Sequence, residues 1–137
     1  DILIDAADKL AVNVHSCVNA SAQYAALEAL NGPQDCVSMM NNAFKIRSKI
    51  MFEQLSKLDL VSCNNPQGAF YCFPNISKLN FSSLDFQNKL LNETGIAAIA
   101  GTSFGEFGEG YLRFSCASSE ESIKRAIEKF SLFLSNL

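Results

Sequence analysis

Apolar positions change their spacing twice along the chain, and those changes mark its elements. From Ser21 the stretch SAQYAALEALNG is rich in the helix formers Ala, Leu and Glu and closes on Asn31-Gly32, a pair that stops helices. A short helix is predicted there. Pro33 then stands where a first-turn proline is tolerated. Apolar residues recur at Val37, Met40, Phe44, Met51, Leu55 and Leu58, one face of a long helix running to about Lys57. Its other face carries Lys45, Arg47, Lys49, Glu53 and Lys57, the pattern of a solvated surface.

After the turn signal NNPQG the reading changes to strands. Ala69 to Phe73 is short and aromatic, and Pro74 stops it. A helix is predicted from Ser83 to Thr94, with Gly95 as a left-handed cap, and a second strand from Ile96 to Ala100. A third strand runs from Tyr111 to Cys116. Ser118 with Glu121 has the form of a capping box for a last helix with apolar positions Ile123, Ile127, Phe130 and Leu134. Helices first, then β-α-β-β-α, predicts an α+β architecture: a small sheet of three to four strands packed against helices on one side. Residues 1–32 read as a helical segment that bridges to a preceding domain, and residues 33–137 as the sheet-bearing domain.

Composition narrows this picture. A chain of 137 residues with 48% hydrophobic residues, 18% charged residues and a net charge of −3 fits one ordinary globular core and carries no basic cluster for nucleic acid. The longest apolar runs, AFYCF and IAAIA, are five residues, against roughly 20 for a membrane span. Five cysteines, at positions 17, 36, 63, 72 and 116, are odd in number and form no CxxC pair, which points to free thiols in a reducing cytoplasm. Asn19, Asn75, Asn80 and Asn92 each begin an N-x-S/T sequon, read as an accident of a chain rich in Asn and Ser. The first residue is Asp and no signal-like segment follows, so the chain reads as a piece of something longer.

The stretch GTSFGEFGEGYLRFSCA, residues 101 to 117, is where chemistry could reside. A phosphate cradle fits it poorly: Glu106 and Glu109 add negative charge, no Lys-Ser/Thr pair follows, and a strand comes next rather than a helix. Strand alternation puts Tyr111, Arg113 and Ser115 on one face and Leu112, Phe114 and Cys116 on the other. Arg113 is then either structural, paired with a protein carboxylate or reaching the edge of the sheet, or is a planar fork free to bind a ligand carboxylate through two parallel hydrogen bonds. His15, the only histidine, has no Cys, Asp or Glu set at metal-ligand spacing and reads as structural or exposed.

These residues also carry a resemblance. NPQGAFYCF followed by GIAAIAGTSFGEFGEGYLRFSCASSEESIKRAIEKF resembles the small C-terminal domain of class I/II aminotransferases, the fold type I enzymes that use pyridoxal 5′-phosphate. SCVNASAQYAALEAL resembles the segment by which those enzymes leave their large domain, so the likeness covers nearly the whole chain. Prokaryotic-type aspartate aminotransferases look nearest. The resemblance implies that Arg113 binds the α-carboxylate of the substrate, that Gly68 allows close backbone approach at the substrate entrance, and that Phe104 lines the same mouth. It also implies that Ser16, Asn19 and Ser21 fall in a loop approaching the cofactor phosphate of the neighbouring subunit in a homodimer. A helix N-cap is the competing role for these, Ser21 above all.

The chain departs from the family in one respect. The cofactor-binding lysine of a Ser-x-x-Lys-like motif and the Gly-x-Arg-x-Gly segment that follows it do not occur in these residues. The expectation is therefore an aminotransferase acting between an aspartate-like amino acid and a 2-oxo acid as the intact protein, with this fragment inactive alone. Two alternatives stay open: a stand-alone module that binds small carboxylates, and a pyridoxal-phosphate lyase or synthase on the same scaffold.

Overall fold

A computed structural model describes residues 1–137. The chain divides into two compact units, Asp1–Ser38 and Met39–Leu137. The first contains α1 (Ile2–Val14) and α2 (Ala20–Asn31). No element is predicted over α1. Neither helix buries a residue, and Ile2, Leu3 and Leu30 are at least 80% exposed.

Asn19 is the N-cap of α2. Its Oδ1 accepts the N–H groups of Ser21 at 2.8 Å and Ala22 at 3.3 Å. Capping by Ser21 is thus corrected: that residue already lies inside the helix and donates its own N–H. The predicted stop is observed, with the Gly32 N–H bonded to Glu28 O at 2.7 Å, although Gly32 is extended rather than left-handed. Pro33 precedes the next helix instead of entering its first turn, since α3 spans Asp35–Leu55 and the Ser38 N–H bonds to Gln34 O.

In the second unit α3 ends at Leu55, two residues before the predicted stop, and presents Met51 and Leu55 to the core. Three short strands follow: β1 (Tyr71–Cys72), β2 (Ile99–Ala100) and β3 (Leu112–Ser115). They form an antiparallel sheet in the order β1-β3-β2, with Tyr71 opposite Ser115, Cys72 opposite Phe114 and Ile99 opposite Arg113. The strands are shorter than predicted. Ala69 takes a positive φ of 58°, which breaks the extended backbone before Tyr71. The first part of the second predicted strand, Ile96 to Ala98, is outside the ladder although its Ile96 and Ala98 are buried.

Helix α4 (Ser83–Thr94) has the predicted limits and its left-handed Gly95 cap at φ 73°. Helix α5 (Glu120–Ser135) is capped by Ser119, whose Oγ accepts the Ser122 N–H at 3.1 Å. The cap thus falls one residue later than the predicted Ser118–Glu121 box. The Ser115 hydroxyl accepts the Ala117 N–H and holds the turn non-helical for longer.

One face of the sheet builds the core. Cys72, Leu112, Phe114 and Cys116 pack with Phe86 and Leu90 of α4 and with Ile123, Ile127 and Phe130 of α5. The edge of β2 is covered from α4, where Gln87 Oε1 accepts the Ala100 N–H at 2.6 Å. The cysteines are scattered along the sequence, yet three of them converge here. The Cys72 thiol lies between those of Cys116 and Cys63, and these contacts together with burial push its pKa up. All five thiols are free.

Two glycines explain the glycine-rich loop. The backbones of Gly101 and Gly108, both buried, pass so closely that a Cβ at 101 would stand 2.1 Å from Gly108 O, and one at 108 would stand 2.0 Å from Gly101 O. Backbone cannot yield as a flexible side chain can. Gly108→Ala should therefore destabilise the protein by about 3 kcal/mol, the upper end of overpacking costs. A Cβ at Gly68 would meet nothing within 4 Å, and Gly68→Ala should change stability by less than about 0.5 kcal/mol. Urea denaturation of both variants checks the contrast.

Candidate functional site

The glycine crossing folds residues 101–110 into two 3₁₀ turns, Gly101–Phe104 and Glu106–Gly108, and returns the chain as β3 beside β2. Its glycine N–H groups are already used. Gly101 donates to Tyr111 O at 2.8 Å, Gly105 to Thr102 O at 3.2 Å and Gly108 to Gly105 O at 3.0 Å. The Gly110 and Tyr111 N–H groups bond to Ser83 Oγ at 2.8 and 3.2 Å. All four glycine N–H groups of the loop are thus bonded within the protein.

Ser83, the first residue of α4, is fully buried and ties that helix to the loop. From the loop side, Glu109 Oε1 accepts the Ser83 N–H at 2.8 Å, bringing a carboxylate to the positive end of the α4 dipole. Neither residue stands out in the sequence. The only legible signal is a glutamate between two glycines.

Arg113 emerges on the sheet face opposite the core, with its neighbours Leu112 and Phe114 buried beneath. The guanidinium carbon lies 4.3 Å from the Tyr71 ring centroid and 4.5 Å from that of Phe104. Tyr71 comes from β1 and Phe104 from the turn after β2, so the rings reach Arg113 from both neighbouring strands. Phe73 stacks on Tyr111 at 5.2 Å and meets Phe104 edge-on at 6.1 Å, extending the aromatic wall. The chain's ion pairs are Asp1 N-terminus with Asp5, Lys49 with Glu53, and Lys89 with Glu93. None involves Arg113. The alternative of a carboxylate partner from this chain is therefore not what the fold provides, and the guanidinium is half-buried.

The other sequence candidates lie elsewhere. Gly68 lines an open cavity of about 380 Å³ between Ser48, Lys49 and Phe52 of α3 and residues 65–69, and it does not touch Arg113. Ser16 has a left-handed φ of 60° and is exposed. Asn19 uses its Oδ1 as the α2 cap. His15 closes α1, its N–H bonded to Ala11 O at 2.8 Å. Sequon asparagines have structural duties as well: Asn75 Oδ1 accepts the N–H and Oγ–H of Ser77, and Asn80 is left-handed.

The sheet and the 101–110 loop do not fit pyridoxal phosphate itself. No lysine occurs in β1, β2, β3 or the 101–110 loop, and Glu106 and Glu109 put negative charge where a phosphate would lie.

A small antiparallel sheet thus carries helices on one face and, on the other, an aromatic-flanked arginine without an ion-pair partner in this chain. Comparison with known proteins agrees: the sequence profile of aminotransferase class I and II matches residues 1–130, and the chain belongs to that family. It is 39% identical over 137 residues to an aspartate aminotransferase of Bacillus sp. (strain YM-2), covering 96% of this chain and 34% of that protein. It is 35% identical over 137 residues to an asparagine–oxo-acid transaminase of Streptococcus mutans, covering 96% of this chain and 34% of that protein. An alanine aminotransferase structure from Pyrococcus furiosus superposes with a TM-score of 0.90 at 30% identity over 97% of this chain and 34% of that one. The chain spans about a third of the length of the relatives it matches.

Ser83 provides a test of how the site is held. Ser83→Ala would leave the buried Gly110 N–H without an acceptor, costing about 1–3 kcal/mol. A thermal midpoint unchanged from that of the parent protein would contradict this role.

Proposed function

We propose that this chain is the substrate-carboxylate half of a pyridoxal-phosphate-dependent aminotransferase that moves an amino group between an aspartate-like amino acid and a 2-oxo acid. The observation that carries the reading is the Arg113 fork, held between two rings and without a protein carboxylate partner. Both substrates of such a reaction carry a carboxylate next to the reacting carbon, so one arginine serves both half-reactions. Bidentate hydrogen bonding fixes the carboxylate plane and thereby the direction of the α-hydrogen, which is positioning rather than proton transfer. When bound, the cofactor supplies an electron sink for the bond broken at the α-carbon.

Contacts to the cofactor are assigned in this proposal to other parts of the intact protein, with Ser16 and Asn19 reaching the phosphate of the neighbouring subunit's cofactor. The exposed position of both residues is consistent with that role. A homodimer is part of the reading. It is supported by the exposed apolar residues of α1 and α2, which fit burial against further protein. Five free thiols support a reducing cytoplasm as the location, and no helix is long and apolar enough to cross a membrane. In this reading residues 1–32 bridge to a large domain, residues 33–137 form the small domain, Gly68 and Phe104 face the substrate, and the fragment alone is inactive.

In the full-length enzyme Arg113→Lys keeps the charge and loses the fork. Substrate binding should weaken by about 1.5–3 kcal/mol, seen as a raised KM for both the amino acid and the 2-oxo acid. Steady-state kinetics equal to those of the parent enzyme would reject Arg113 as the anchor.

A further inference from the structure

We propose that Tyr71 and Phe104 are positioning residues that clamp the Arg113 guanidinium in one plane, and that substrate affinity depends on this pre-set plane as well as on the charge. The inference rests on Arg113 being the carboxylate anchor. A free arginine side chain samples many rotamers, and ordering it on ligand binding costs conformational entropy. Here the guanidinium carbon sits 4.3 Å from one ring centroid and 4.5 Å from the other, distances at which the ring quadrupoles attract the cation and aromatic faces favour stacking of the planar group. Ordering is thus achieved before the substrate arrives.

The clamp's two jaws are held by different means. Tyr71 is paired in register with Ser115 on β1 and rests against Phe70 at 4.3 Å between centroids. Phe104 closes the first 3₁₀ turn just before Gly105, whose φ of 122° only glycine adopts readily, and it touches Phe73 edge-on. Phe104 is 52% exposed, so neither the core nor the sheet ladder explains an aromatic side chain there. The guanidinium lies over the ring in both jaws, so the clamp calls for an aromatic ring at each position and not for the Tyr71 hydroxyl.

The test is a double-mutant cycle in the full-length enzyme, with KM and kcat measured separately for the amino acid and the 2-oxo acid. Tyr71→Leu and Phe104→Leu should each raise KM about 3- to 10-fold with kcat changed less than about twofold. Tyr71→Phe and Phe104→Tyr, which keep the rings, should recover most of that loss. In an Arg113→Gln background either leucine substitution should add less than about twofold, because the clamp then has nothing to hold. Unchanged KM in the leucine variants alongside a raised KM in Arg113→Gln would overturn the clamp and leave the anchor standing. So would an equal KM penalty with and without Arg113. Unchanged KM in Arg113→Gln would overturn the anchor and the clamp together. Phe104→Leu, at an exposed position, keeps the experiment decisive if Tyr71→Leu fails to fold.

Discussion

The rest of the sheet-bearing unit depends on the place where the backbone of Gly101 passes that of Gly108. Neither position has room for one more carbon, and this contact lets ten residues turn back on themselves so that β3 returns directly beside β2. Ser83 and Glu109 then bind the returning chain to the N-terminus of α4, satisfying buried N–H groups and setting where β3 begins. A shift of one residue would exchange the faces of β3 and bury Arg113 in place of Leu112 or Phe114. The core and the site are therefore specified by the same contact.

The two faces of that sheet do different work. The inner face is apolar and closed by α4 and α5, so the strands can be short without being loose. The outer face is aromatic and carries a cation with no counter-charge from this chain. An uncompensated arginine between rings does little for stability, whereas it is well suited to bind a planar anion. The family relationship gives that anion a chemical setting, since the relatives include aminotransferases named for aspartate, asparagine and alanine. What those amino acids share at the α-carbon is a carboxylate, the group that the proposed function assigns to Arg113.

Legibility in the sequence followed the range of the interaction concerned. The limits of α4 could be read because Gly95 and the helix-forming run are local signals, and the alternation that exposes Arg113 while burying Leu112 and Phe114 is a property of any strand. The caps were misplaced by one or two residues at α2 and α5 because several Ser and Asn stand in a row and only geometry chooses among them. The strand at Ala69 was overextended because a positive φ at alanine has no sequence signature. Tyr71 and Ser83 were invisible for a different reason. Their roles come from contacts with Arg113 and Gly110, residues distant in the chain, which no local pattern encodes.

The central claim is that the Arg113 fork is the receptor for a substrate carboxylate. A crystal structure of the full-length protein with a bound amino-acid or 2-oxo-acid ligand tests it most directly. The account predicts two parallel N–H···O contacts of about 2.7–2.9 Å between the Arg113 guanidinium and the ligand carboxylate. A ligand whose carboxylate is held by other residues, with Arg113 paired to a protein carboxylate from the remainder of the chain, would contradict it.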